Sequence, residues 1–66
     1  MMTKEELLTL EALIDRHGLI NVLVGIDQIC GEKAAHIATA WQDTRTAKHW
    51  DRAAKIVGRA ACTVSV

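Results

Sequence analysis

The chain has 66 residues, eight acidic against eight basic side chains, and a formal net charge of zero. Half of the residues are hydrophobic, which excludes a disordered chain, and the balanced charge leaves no global field to draw it onto nucleic acid or an anionic membrane. No apolar run approaches the roughly 20 residues that span a bilayer, and a start carrying Glu5 and Glu6, with no basic stretch before an apolar one, is unlike a signal peptide.

The first helix is expected over about 3–17. T-K-E-E at 3–6 offers a capping box, in which Thr3 caps and Glu6 reaches back three residues later. Leu7, Leu10, Leu13, Ile14 and His17 fall on one stripe, and Gly18 supplies a left-handed residue to end the helix after Arg16 and His17. Asn21 reads as the cap of a second helix over about 21–42. At about 100° per residue, Leu23, Ile26, Ala34, Ile37 and Trp41 lie within roughly 40° of Cys30, and Val22, Ile29 and Ala40 widen that apolar arc. An arc this wide implies more than one neighbour. Asp43 or Thr44 caps a third helix over about 44–61, whose stripe of Ala47, Trp50, Ala53, Ala54, Val57 and Ala61 lets another helix approach closely. The tail, 62–66, reads as either a frayed end or a short extended arm.

There is no Pro, and no run of alternating polarity precedes the tail, so the fold class is all-α. Short connections make neighbouring helices antiparallel, which gives a single-domain, three-helix, up-down-up bundle. A chain of this length, with no Phe or Tyr, buries little surface alone. Self-association as a homodimer is therefore the expectation.

The stretch C-G-E-K-A-A-H at 30–36 places three ligand-capable groups close together. Cys30 and His36 diverge by about 120° around a rigid helix, so they cannot meet one zinc ion, and Cys30 reads as a small core residue. Glu32 and His36, at i and i+4, do share a face. Folding the second and third helices together about residue 43 brings His49 to the height of His36. On the same ledge fall Val22, Ile29, Lys33 and Ala40 from one helix and Ala53, Ile56 and Ala60 from the other. Three uses are open: the ledge receives the first helix, forms a dimer seam, or offers Glu32, His36 and His49 to a transition metal. With Leu8, which stands on the polar side of the first helix, the candidate interface residues are Val22, Ile29, His36, His49, Ile56 and Ala60.

The third helix carries Arg45, Lys48, Arg52, Lys55 and Arg59 opposite Trp50, a stripe that could meet phosphates. Zero net charge and the lack of stacking aromatics weigh against nucleic acid, and the acidic first helix offers an alternative mate. Around 14–24, Ile14, Gly18 and Val24 have helix-turn-helix spacing, but Gln28 and Glu32 stand where a recognition helix needs basic groups. No Gly-rich phosphate loop, nucleophile beside a base, or paired carboxylates in a pocket point to an enzyme, and no cofactor is implied. Two cysteines without motif spacing fit a reducing cytoplasm.

The run E-K-A-A-H-I, Glu32 to Ile37, followed by W-Q-D, Trp41 to Asp43, resembles a stretch found in short, uncharacterised bacterial helical proteins. The likeness runs from about Leu10 to Ala54, implies a compact bacterial protein, and brings no chemistry with it. The functional expectation is a cytoplasmic binding or regulatory module that acts through protein–protein contacts.

Overall fold

In the computed structural model, which describes residues 1–66, the chain is three α-helices with no strand: α1 (Lys4–His17), α2 (Leu19–Ala40) and α3 (Thr44–Thr63). The capping box at the start of α1 is formed. Thr3 accepts a hydrogen bond from the Glu6 amide, and the Glu6 carboxylate accepts one from the Thr3 amide.

Asn21 does not cap α2, which begins two residues earlier, at Leu19. Its amide instead donates to the His17 carbonyl at 2.8 Å, answering one of the orphaned acceptors at the end of α1. The sole residue between the two helices is Gly18, at φ 84°, ψ 152°. That is not the left-handed helical conformation expected at a helix end but a positive-φ, extended one that glycine alone adopts at little cost. The joint can be one residue long because that residue has no Cβ.

Between α2 and α3, Gln42 takes positive φ, 52°, the only non-glycine residue to do so. The Asp43 amide closes the turn onto the Ile37 carbonyl, and the Asp43 side chain caps α3 by accepting from the Thr46 amide and hydroxyl. The two helices then run back along each other, and three pairings fix their sense. Trp50 meets Lys33, Gly58 meets Asp27, and the Ile20 amide donates to the Val66 carbonyl at 2.8 Å. One residue number falls as the other rises, which defines an antiparallel hairpin.

The last of those bonds decides the tail. Helix α3 runs to Thr63, beyond the expected 61, and Val64 turns extended at φ −75°, ψ 155°. Residues 64–66 form a short arm against the start of α2, where Val66 answers an amide that no side chain caps.

Five residues are buried, Cys30 and Ala34 on α2 and Ala47, Ala54 and Ala61 on α3, and all lie between these two helices. The three alanines recur every seven residues, with Trp50, Val57 and Val64 half-buried between them. On α2 the matching set is Leu23, Cys30 and Ile37 with Asp27 and Ala34. A repeat of seven keeps one seam facing a neighbour along its whole length. Small residues let the backbones close in: a Cβ on Gly58 would stand 3.1 Å from Asp27 Oδ2.

Two members of the expected core lie outside it. Ile26 is 37% exposed and Trp41 72% exposed, because the short side chains of α3 cover only the middle of the wide arc on α2. Helix α1 is barer still, with no buried residue. It packs on α2 alone and makes no contact with α3. The result is thin and open, with Cα extents of 37 × 27 × 16 Å and a radius of gyration of 13.5 Å, against about 10.8 Å for a compact domain of this length.

Candidate functional site

Three surface features gather the residues that the sequence singles out. The first is a cleft between α1 and α2, lined by Leu10, Leu13 and His17 on one side and Val22, Ile26 and Ile29 on the other. Its walls are apolar, and Leu13 is 45% and Ile29 53% exposed. The stripe on α1 thus finds its neighbour only in part, since α1 touches α2 near their common joint and nothing else covers it.

The second feature is a hollow along α2, formed by Ile29, Glu32, Lys33, His36, Ile37 and Trp41. Five of these residues belong to α2 and Trp41 is its C-cap, so no other helix lines the hollow. Glu32 and His36 both line it, but they form no ion pair. His49 does not join them. It lies near enough to Asp43 for an imidazolium to act on that carboxylate. Glu32, His36 and His49, one of the three uses open to the ledge, do not converge within one chain: no three His, Cys, Asp or Glu side chains of the chain stand where they could hold one ion. Equal height on two antiparallel helices does not by itself bring three side chains onto one ion. Cys30 is buried, as its place on the stripe requires, and has no metal-binding company.

Lys33 makes the contact that the sequence did not disclose. Its ammonium lies 5.4 Å from the centroid of the Trp50 ring, within range of a cation–π attraction. The pairing follows from the hairpin register, so only the seven-residue repeat of the two helices taken together could have signalled it.

The third feature is the outer face of α3. Arg45, Lys48, Arg52, Lys55 and Arg59 are all exposed, at alternating spacings of three and four residues over roughly 21 Å of helix. Lys55 pairs with Asp51 at 3.1 Å, an exposed contact of little energetic weight.

Of the remaining interface candidates, Leu8 is 55% and Ile56 50% exposed, while Val22 and Ala60 are half-buried. Two carboxylates have pKa values held below their usual range. For Asp43 the main cause is the hydrogen bond from the Thr46 amide, helped by the Thr46 hydroxyl, with a smaller influence from His49. For Glu6 it is the Thr3 amide, then the Thr3 hydroxyl. Both are helix-start carboxylates fixed by local bonding. No polar or charged residue is buried, and no helix is long and apolar enough to cross a membrane.

No protein-family model, curated protein or solved structure matches this chain. What the molecule offers to other molecules is therefore read from its own surface: an apolar cleft, a one-helix hollow and a basic stripe.

Proposed function

We propose that the chain is a cytoplasmic binding or regulatory module that works as a homodimer through protein–protein contacts, without catalysis of its own. Its helices form an up-down-up bundle that is complete only when two copies meet. The observation that carries this reading is the surplus of exposed surface. The folded chain exposes 5428 Å², whereas a compact protein of 7.2 kDa exposes about 4,100 Å². The excess is larger than the roughly 800 Å² that each partner contributes to a standard interface. Much of it is aliphatic, with Leu7, Leu13, Ile26 and Ile29 open beside the cleft. Exposed leucines and isoleucines grouped in this way mark a surface meant to be covered.

Sedimentation equilibrium across the micromolar range tests the proposal. A species of twice the chain mass, with a melting temperature that rises with concentration, is the expected result. A stably folded monomer throughout that range overturns it.

A second reading rests on the α3 stripe, whose five cations form one unbroken exposed ridge. On that reading the chain binds nucleic acid through phosphate contacts, with affinity that falls steeply with salt. Retention on DNA or RNA at low salt, lost when Arg52→Glu and Lys55→Glu are combined, supports it. No retention at low salt dismisses it.

A further inference from the structure

Helix α2 carries a second seven-residue repeat beside the one that faces α3. Val22, Ile29 and His36 form one row and Ile26, Lys33 and Ala40 the other, centred about 100° around the helix from the α3 seam. Sustained over six positions, such a row belongs to a helix with two long neighbours. Helix α1 supplies only part of the second one. It lines the cleft over Val22, Ile26 and Ile29, and does not reach His36 and Ala40, both of which are exposed.

We infer, building on the homodimer proposed above, that this row is the dimer seam, and that α2 of a second copy lies along it in the antiparallel sense. The row is self-complementary in that arrangement. Centred between Ile29 and Lys33, a two-fold axis sets Val22 against Ala40 of the second copy, Ile26 against His36, and Ile29 against Lys33. Each pair joins a branched aliphatic from the first half of the helix to a small or polar-tipped residue from the second half, so volumes alternate along the seam. Lys33 is the one full charge in the row, and its ammonium already sits over Trp50 of its own chain. Its aliphatic stem is thus free to pack while the charge stays outside the seam.

The same two-fold brings α1 of the second copy over the far half of α2, where Ile37 and the 72% exposed Trp41 border the open hollow. Leu7 and Leu13 of that helix, each about half exposed, supply the missing cover. The four helices α1 and α2 of both copies then enclose one core, with α3 on the outside. Its basic stripe stays accessible. The surplus of roughly 1,300 Å² per chain is what a seam of this length requires.

Two measurements decide the matter. Ile29→Glu is expected to weaken the dimer about a hundredfold while retaining helical circular dichroism, because Ile29 is 53% exposed in the single chain. Val24→Glu, at a similarly exposed site on the opposite side of α2, leaves the dimer intact. For the sense of the pairing, Val22→Cys and Ala40→Cys chains are prepared separately in a Cys62→Ser background and oxidised. Each chain then carries one introduced thiol, and positions 22 and 40 lie roughly 27 Å apart along the helix, so a parallel pairing in register cannot bring them together. The mixture is expected to give a covalent dimer joined through positions 22 and 40, and neither variant alone does so.

A dimer that survives Ile29→Glu, yields to Val24→Glu, or cross-links within either single variant overturns the seam while the homodimer stands. A dimer that gives no cross-link at all also overturns it. A parent chain that is monomeric removes the underlying reading, and the seam with it.

Discussion

The α2–α3 hairpin and α1 are both well-formed helix, yet they are held by different physics. The hairpin encloses all five buried residues of the chain, and four of them are alanines. Its stability comes from two backbones lying close together over some twenty residues, with little side-chain entropy lost in the seam. Helix α1 buries nothing and is held by its local features: the capping box, acidic residues in the first turn, Arg16 and His17 in the last, and the Gly18 joint. Local features of this kind rarely stabilise 14 residues alone. The hairpin is folded by contacts the chain makes with itself. Helix α1 has no buried residue and packs on α2 alone.

The largest expected effect breaks the hairpin side of the comparison. Ala54→Leu puts a branched side chain into a seam sized for alanine and should cost about 3 kcal/mol, read as a lower urea midpoint. Leu13→Ala on α1, by contrast, should cost the single folded chain under about 1 kcal/mol, since 45% of that side chain is exposed. Equal costs would mean that α1 belongs to the same packed unit.

Next comes the joint between the two regions. Gly18→Ala forces a Cβ into a backbone conformation that only glycine adopts easily, at a cost of about 2 kcal/mol. No atom crowds the position, so the loss is conformational rather than steric against a neighbour. Amide exchange should quicken in α1 and the first turn of α2, and remain slow at Ala54.

The turn within the hairpin offers a gain. Gln42 stands at φ 52°, and Gln42→Gly relieves a left-handed residue worth about 1 kcal/mol. The melting temperature should rise by about 4–8 °C. A fall would show that the Gln42 side chain makes a contact that outweighs its backbone strain.

A smaller effect is expected at the cation–π pair. Lys33→Gln removes the charge over Trp50 and should cost about 0.5 kcal/mol, together with a change in tryptophan fluorescence.

The smallest effect is titration at the helix starts. Glu6 and Asp43 both have pKa values depressed in the folded chain, so each contributes stability that is fully present above its ordinary value, 4.5 and 3.8. That contribution is lost as pH falls through those values toward the lower folded ones. Glu6 reports on α1 and Asp43 on the hairpin, so acidification should quicken exchange directly at the Thr3 amide, which donates to Glu6, and separately at the Thr46 amide, which donates to Asp43. Asp43→Asn should abolish the second change and leave the first.

Much of the fold was legible in the chain because its determinants are local. The Thr3–Glu6 box and the Asp43 cap each join residues three apart, and the alanine stripe of α3 is a periodicity within one helix. The start of α2 is not legible at Asn21, because a glycine joint suffices there and the cap-forming side chain bonds back to α1 instead. The site was less legible. Glu32 and His36 do share a hollow, but the meeting with His49 depended on directions across two helices, which one helix's wheel does not contain.

The sequence by itself determined three helices, the caps of the first and third, the small-residue face of α3 and the burial of Cys30. Each of these follows from spacings within a single turn or a single helix. Only the tertiary structure decided that Trp41 stands exposed, that Lys33 sits over Trp50, that the tail bonds to Ile20, and that α1 rests on α2 alone. Those outcomes depend on distances between residues far apart in the chain. The reach of each side chain across the seam fixes those distances, and here the alanines of α3 are long enough to cover one stripe of α2 and too short to cover the next.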